Sequence, residues 1–209
     1  MAIIKSGATS DNLTIDPTSK AARITPYTES GRSVAPQSKA TFYVTNSFTP
    51  PATPTDMITI YGSASKTIRV ISFKLVTTNT AAGSQQFQLT KRTSANSGGT
   101  FVAGTAIAAD SNDTATATSF GHYTANAASL GTSAGNIIVK RVASPAAVPA
   151  SFAGVVVDAG VEFLAPMADG GLAKPITLNG NTQGLCLNFN GAALVAGQTH
   201  LYQIVWTEE

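Results

Sequence analysis

The sequence predicts an all-β chain: an antiparallel β-sandwich of jelly-roll type behind an extended N-terminal arm. Three observations predict it. From residue 41 onward, short apolar and polar alternations recur between clusters of Gly, Pro, Asn and Thr, the pattern of strands and turns. No segment carries a persuasive amphipathic-helix pattern. The first forty residues hold too few large apolar side chains to offset their own ordering entropy.

Residues 1–40 therefore read as an arm and residues 41–209 as the body. The arm's apolar side chains are thinly spread: Ile3, Ile4, Leu13, Ile15, Ile24, Tyr27 and Val34. Between them lie Gly7, Pro17, Pro26, Gly31, Pro36 and many hydroxyl residues. A segment of this kind needs a neighbour to order it, which points to an assembly protein.

The body opens with a strand at Thr41 to Thr45, closed by the proline loop Pro50-Pro51-Ala52-Thr53-Pro54. Met57 to Tyr61 is a second strand. Lys66 to Thr77 alternates most cleanly, with Ile71, Phe73 and Leu75 expected on one face and Ser72, Lys74 and Val76 on the other. Gln85 to Thr93 repeats the pattern, with Phe87 and Leu89 inward and Gln86, Gln88 and Thr90 outward. These two strands are expected to pair across Asn79-Thr80-Ala81-Ala82-Gly83.

Residues 94–135 are rich in Ala, Thr, Ser, Asn and Gly and read as a long excursion. One or two short strands are expected there, or a helical turn near Thr124 to Leu130. Strands return at Asn136 to Val142, Phe152 to Asp158 and Val161 to Leu164. Ile176 to Leu178 and Leu185 to Phe189 flank Asn179-Gly180, a hairpin signal because Asn-Gly accepts positive φ. The last strand, Thr199 to Thr207, carries the sole tryptophan, Trp206, expected to be half-buried. Eight to ten strands without intervening helices suggest two antiparallel sheets, and the long excursions favour a jelly roll. No fixed-period repeat appears, which excludes propellers and solenoids.

Only 11% of the 209 residues are charged, against about 25% in ordinary soluble domains. Charged side chains are depleted at interface cores, so the chain is a candidate for extensive contact with other subunits. A Thr-rich β domain with an uncharged surface is the plainer account. The net charge of +2 sits in the arm, which holds Lys5, Lys20, Arg23, Arg32 and Lys39 against Asp11, Asp16 and Glu29. That is too sparse for nucleic-acid binding, which needs basic side chains clustered on one face. The start, MAIIKSG, lacks the apolar run of a secretory signal. Ala143 to Val157 is too short and too interrupted by Pro and Ser to span a bilayer. The expectation is a soluble protein made in a cytoplasm, with no membrane partner.

Few residues fall in patterns that carry chemistry. Cys186, the only cysteine, permits neither a disulfide framework nor a cysteine zinc site and reads as a small buried hydrophobe. His122 and His200 are far apart in sequence and read as structural. Asp158 and Glu162 are the best carboxylate pair for a glycosidase, yet on one strand they lie about 13 Å apart, beyond the roughly 5–9.5 Å that chemistry needs. Asp110-Ser111-Asn112-Asp113 groups oxygen ligands but lacks the spacing of a calcium loop and reads as a solvated turn. Gln85, Gln86, Gln88 and Thr90 offer amides and a hydroxyl to a carbohydrate, without an evident aromatic platform. No catalytic residue, metal or cofactor is expected.

Residues 3–27, IIKSGATSDNLTIDPTSKAARITPY, resemble the N-terminal segment of many tailed-bacteriophage virion proteins. In these, a stretch of the form SGATSD-LT-DP-SKAAR precedes a variable β-rich domain. The resemblance covers about an eighth of the chain and implies an anchor that docks on the particle and carries an exchangeable body. It implies a non-enzymatic protein on the outer surface of the virion, made in the host cytoplasm. The type would be a capsid decoration or cement protein, or a short head fibre, bound to the major capsid protein or another virion protein. The arm's contacts would be Ile3, Ile4, Leu13, Ile15, Arg23, Ile24 and Tyr27. By analogy with phage decoration proteins, the body would self-associate as a homotrimer. The alternative is a neck or tail fibre that recognises host surface glycan, with residues 94–135 as its recognition loops. A polysaccharide depolymerase is the remote third option.

Overall fold

A computed structural model describes residues 39–114, 116–144, 161–164 and 175–209. The chain divides into a unit of residues 1–38 and a unit of residues 39–209, and the second holds all the described residues. The arm residues Ile3, Ile4, Leu13, Ile15, Arg23, Ile24 and Tyr27 lie outside the described residues, as does the strand expected at Phe152 to Asp158.

The described residues form twelve strands and no helix. In order these are β1 (Ala40–Phe48), β2 (Asp56–Tyr61), β3 (Ile68–Thr78), β4 (Gly83–Arg92), β5 (Thr100–Ala103) and β6 (Ile107–Ala108). Then come β7 (Phe120–Ala125), β8 (Ser133–Ser144), β9 (Val161–Leu164), β10 (Ile176–Leu178), β11 (Gly184–Asn188) and β12 (Thr199–Glu208). They build two antiparallel sheets of six that pack face to face as a β-sandwich. The first sheet runs β10-β3-β12-β1-β6, with β9 also on β3; the second runs β5-β7-β2-β11-β4-β8.

The alternation predicted from the sequence sets the core. Along β12, His200, Tyr202, Ile204 and Trp206 are buried while the residues between them are partly or fully exposed. Phe42, Val44 and Phe48 do the same on β1. Phe87 and Leu89 on β4 come from the opposite sheet to meet them. Aromatic rings bridge the gap between sheets: Phe120 against Trp206 at 4.7 Å between centroids, Phe48 against His122 at 4.7 Å and Phe87 against His200 at 5.9 Å. Burying a large side chain of this kind contributes roughly 1.5–3 kcal/mol.

Several expectations are corrected. β3 and β4 do not pair; Asn79 to Ala82 carries the chain from one sheet to the other. Turn residues mark where the chain reverses, but the pairing depends on which face each strand buries. For the same reason β10 and β11 are not a hairpin. Gly180 does take φ +73, yet β10 pairs with β3 and β11 sits between β2 and β4.

On β3 the inward face changes phase. A register shift opposite Val205 and Trp206 leaves Ile71 partly exposed, while Ile68 and Val70 join Phe73 and Leu75 in the core. Such a bulge adds one residue and flips the alternation beyond it. Trp206 is fully buried, because β12 is flanked by β3 and β1 instead of lying at an edge. The excursion holds three strands instead of one or two, and Thr124 to Leu130 continues from β7 without a helical turn.

Candidate functional site

The outward face of the second sheet is where the fold departs most from simple alternation. Every residue of β2 and β11 is buried, on both faces. Thr59, Cys186 and Thr90 stand side by side across β2, β11 and β4, away from the apolar core, and all three are covered. The cover comes from the two ends of the Thr93–Thr132 segment, at Asn96 and Gly131, which reach Asp56 and Arg92, and from Asn136, whose Oδ1 accepts from Thr90 Oγ1 at 2.7 Å.

A buried ionic network pins that cover. Asp56 at the start of β2 takes two parallel bonds from Arg92 at the end of β4, Nε to Oδ2 and Nη2 to Oδ1, both 2.9 Å. Asn188 on β11 donates to Oδ1 at 2.6 Å and Asn96 donates to Oδ2 at 3.0 Å. Arg92 Nη1 donates to the Gly131 carbonyl at 2.8 Å, and the Gly131 amide donates to Asn96 Oδ1 at 2.8 Å. Thus one end of the covering segment is tied to the Asp56 carboxylate directly, through Asn96, and the other through Arg92. Burial works against the Arg92 charge, but the Asp56 bond and charge outweigh it and hold the guanidinium above its ordinary value. Burial, then the nearby Asp56 charge, pushes the Cys186 thiol well up, so it stays protonated and unreactive.

Between this cover and the rim of the sandwich lies an open cleft of about 620 Å³. Its floor is aromatic: Tyr61 at the end of β2, Tyr123 on β7 and Phe101 on β5. Phe101 leans on Tyr123 with ring centroids 5.0 Å apart, placed by direct cross-strand pairing of β5 with β7. Tyr61 Oη accepts the Asn96 amide at 3.3 Å. Burial, then the Tyr123 hydroxyl, raises the Tyr61 pKa, and burial raises that of Tyr123. Both hydroxyls therefore stay neutral.

Ser63, Ser65, Ser119 and Asn181 supply the polar rim. Asn181 is brought in by a close backbone approach: a Cβ on Gly62 would sit 2.3 Å from the Gly180 carbonyl oxygen. On the other wall, a Cβ on Gly99 would meet the Asn126 carbonyl oxygen at 2.4 Å, with φ at +75. Glycine at these two positions lets the walls close onto their neighbours. No Asp, Glu, Lys, Arg or His lines the cleft among the described residues.

The residues weighed for chemistry fall elsewhere. The two histidines, distant in sequence, both pack on Phe48 inside the core, with ring centroids 4.7 and 5.7 Å away. His200 Nδ1 meets Thr77 Oγ1 at 2.9 Å, and His122 Nδ1 meets the Tyr202 hydroxyl at 3.3 Å. Burial pushes His200 down to about 4 and lowers His122 as well. Glu162 faces Lys74 at 3.4 Å, and Asp158 lies outside the described residues.

Asp110 closes its own turn by accepting the Asn112 amide at 2.9 Å. Among the described residues no group of three His, Cys, Asp or Glu is placed to hold a metal. The proposed amide face is partly internal: Gln85 and Thr90 are buried, and Gln88 bonds Asn190 at 3.3 Å and Asn136 at 3.1 Å. Sequence reasoning passed over Asp56, Arg92 and the cleft aromatics. The available signal was β2 and β11 themselves, Met57 to Tyr61 and Leu185 to Leu187, which lack polar alternation as strands covered on both faces do.

Comparison with family models, with curated proteins and with solved structures finds no match.

Proposed function

We propose that this chain is a non-enzymatic structural protein of a bacteriophage particle, a capsid decoration or cement protein or a short head fibre. The observation that carries the reading is the resemblance of residues 3–27 to the anchoring segment of tailed-phage virion proteins. The arm would lie extended on the major capsid protein, adding backbone hydrogen bonds at a sheet edge and pegging Ile3, Ile4, Leu13, Ile15, Ile24 and Tyr27 into it. Many copies on one particle raise the effective strength of each weak arm.

The strand order supports the same reading. Take β1, β2, β3, β4, β8, β10, β11 and β12 as first to eighth. One sheet then runs first-eighth-third-sixth and the other second-seventh-fourth-fifth. We read this as a jelly roll, an architecture used by viral capsid and lectin domains. The excursion between the fourth and fifth strands contributes β5, β6 and β7, which extend the sheets beside β2 and β1. Self-association, as a trimer on the shell, would cover Ile107 and Tyr43, cross-strand neighbours on the outer face of the first sheet that are 65% and 38% exposed.

The test is a truncation together with a count. Lys39 pairs with Glu209 and Ala40 pairs with Glu208, so the cut that spares the body removes residues 1–38. The truncated chain is expected to fold and to be missing from purified particles; normal incorporation sinks the proposal. Copy number, by quantitative mass spectrometry of particles, is expected at a simple fraction of the major capsid protein. A handful of copies instead places the protein at the neck or tail, as a fibre.

A further inference from the structure

We infer that the cleft between Tyr61, Phe101 and Tyr123 is a binding site for a neutral saccharide. The inference stands independently of the arm and of the virion reading.

Four features carry it. First, the site is built before any ligand arrives. One wall is held by the Asn96 bonds to Asp56 and Gly131, and the other by the Gly62 amide, which donates to the Gln183 carbonyl at 2.8 Å. Second, the lining carries no formal charge among the described residues, and its tyrosine hydroxyls are kept neutral by burial. A phosphate, a carboxylate sugar or an ammonium ligand would find no countercharge, so the class is an uncharged one.

Third, Phe101 is only half-buried and is braced by Tyr123 at a tilt of 58° between rings, so it presents a fixed apolar ring beside polar groups. The ring's negative face attracts the polarised C–H groups on one side of a pyranose. Fourth, the Ser119 hydroxyl and the Asn181 amide are both exposed at the rim and make no side-chain hydrogen bond within the described residues. They are therefore available to sugar hydroxyls, which both donate and accept. An apolar floor with a few convergent polar groups is the general form of a small-molecule site. A proline-rich peptide also uses aromatic grooves. It has little use, however, for hydroxyl and amide groups on both rims, and the saccharide is the better fit.

The test uses the full-length chain and saturation-transfer NMR with glucose, galactose, mannose and N-acetylglucosamine. Each is supplied at roughly 10 mM, where a millimolar site is well occupied. At least one is expected to bind, with the strongest transfer to the protons of one ring face. Phe101→Ala should weaken binding about tenfold, and Phe101→Trp should keep it. Because Phe101→Ala also loosens packing on Tyr123, Asn181→Ala provides the surface control; it should weaken binding roughly fivefold with the thermal midpoint unchanged. Glucuronic acid and glucosamine should bind more weakly than their neutral counterparts. Absence of transfer from all four neutral sugars overturns the inference. So does equal or tighter binding of the charged sugars, indifference of binding to both Phe101→Ala and Asn181→Ala, or capture of a proline-rich peptide without any sugar.

Discussion

The two sheets of this sandwich share one core but differ on their outer faces: a strip of the second sheet across β2, β11 and the end of β4 is sealed, while Val139 on its β8 and most of the first sheet's outer face stay open. On the first sheet, Tyr43, Thr45, Lys74 and Leu201 stand open on the outer face, and β12 alternates as a half-covered strand should. On the second sheet, Thr59, Tyr61, Cys186 and Arg92 occupy the equivalent outward positions and are sealed. The difference comes from one 40-residue excursion that pairs with β2 and β1 at its strands and with Asp56 and Arg92 at its ends. Covering a polar sheet face demands partners for every group it buries. Asp56 and Arg92 find theirs in each other and in Asn96, Asn188 and Gly131, far apart in sequence, whereas Thr59 Oγ1 has none among the described residues; the cleft is the gap where the cover stops.

The sharpest way to break that contrast is Asp56→Ala, which leaves the Arg92 charge buried and unpaired. It should lower the unfolding free energy by about 3–5 kcal/mol in urea titration. The matching change on the open sheet, Lys74→Ala at its exposed pair with Glu162, should cost less than about 1 kcal/mol. Equal losses would mean that the two outer faces are not different after all.

Cys186 reports the same seal without denaturant. In the unaltered chain its thiol should resist maleimide until the cover opens, because it is buried and protonated. Asp56→Ala should speed labelling roughly 100-fold, the factor that about 3 kcal/mol gives for an opening equilibrium. Unchanged labelling would place the opening elsewhere.

A pH titration probes the shared core instead. His200 is held neutral by burial, its pKa depressed to about 4 from 6.5. Between those values the unfolded chain binds a proton that the folded chain does not, so stability falls as pH drops through that window. It is fully present above about 6.5, and the loss levels off below about 4, at about 3 kcal/mol in total. His122 shifts in the same direction and adds to the loss. A His200→Gln variant should flatten most of the dependence; an unaltered slope would assign it to the carboxylates.

The smallest expected effect is on the open face. Leu201→Thr should change stability by no more than about 0.5 kcal/mol in dilute solution, as for an ordinary surface site. A larger loss that grows with protein concentration would show that copies of the chain cover this face.

By itself the sequence determined where strands lie and which side chains of a strand share a face. Thr41 to Thr45, Met57 to Tyr61 and Thr199 to Thr207 all fall on strands, as does Gln85 to Thr93 up to Arg92, and Phe73, Leu75, Phe87 and Leu89 all point into the core. The cause is local: side chains alternate along any extended backbone, so the period is written in neighbouring residues. Cys186 was legible as interior, and His122 and His200 as structural, for a related reason, the apolar residues beside each of them.

Tertiary structure alone decided the rest. Strand partners were not legible, because a turn signal such as Asn179-Gly180 fixes a reversal and not the sheet the next strand joins. The bulge that turns Ile71 outward depends on the register of β12, which lies over a hundred residues away in the chain. Asp56 and Arg92 meet because β2 and β4 both flank β11, and the cleft is lined from four separate segments. Such sites depend on long-range burial: the Asp56 carboxylate is tolerated inside because the distant Arg92, Asn96 and Asn188 satisfy it, and no local pattern records that agreement.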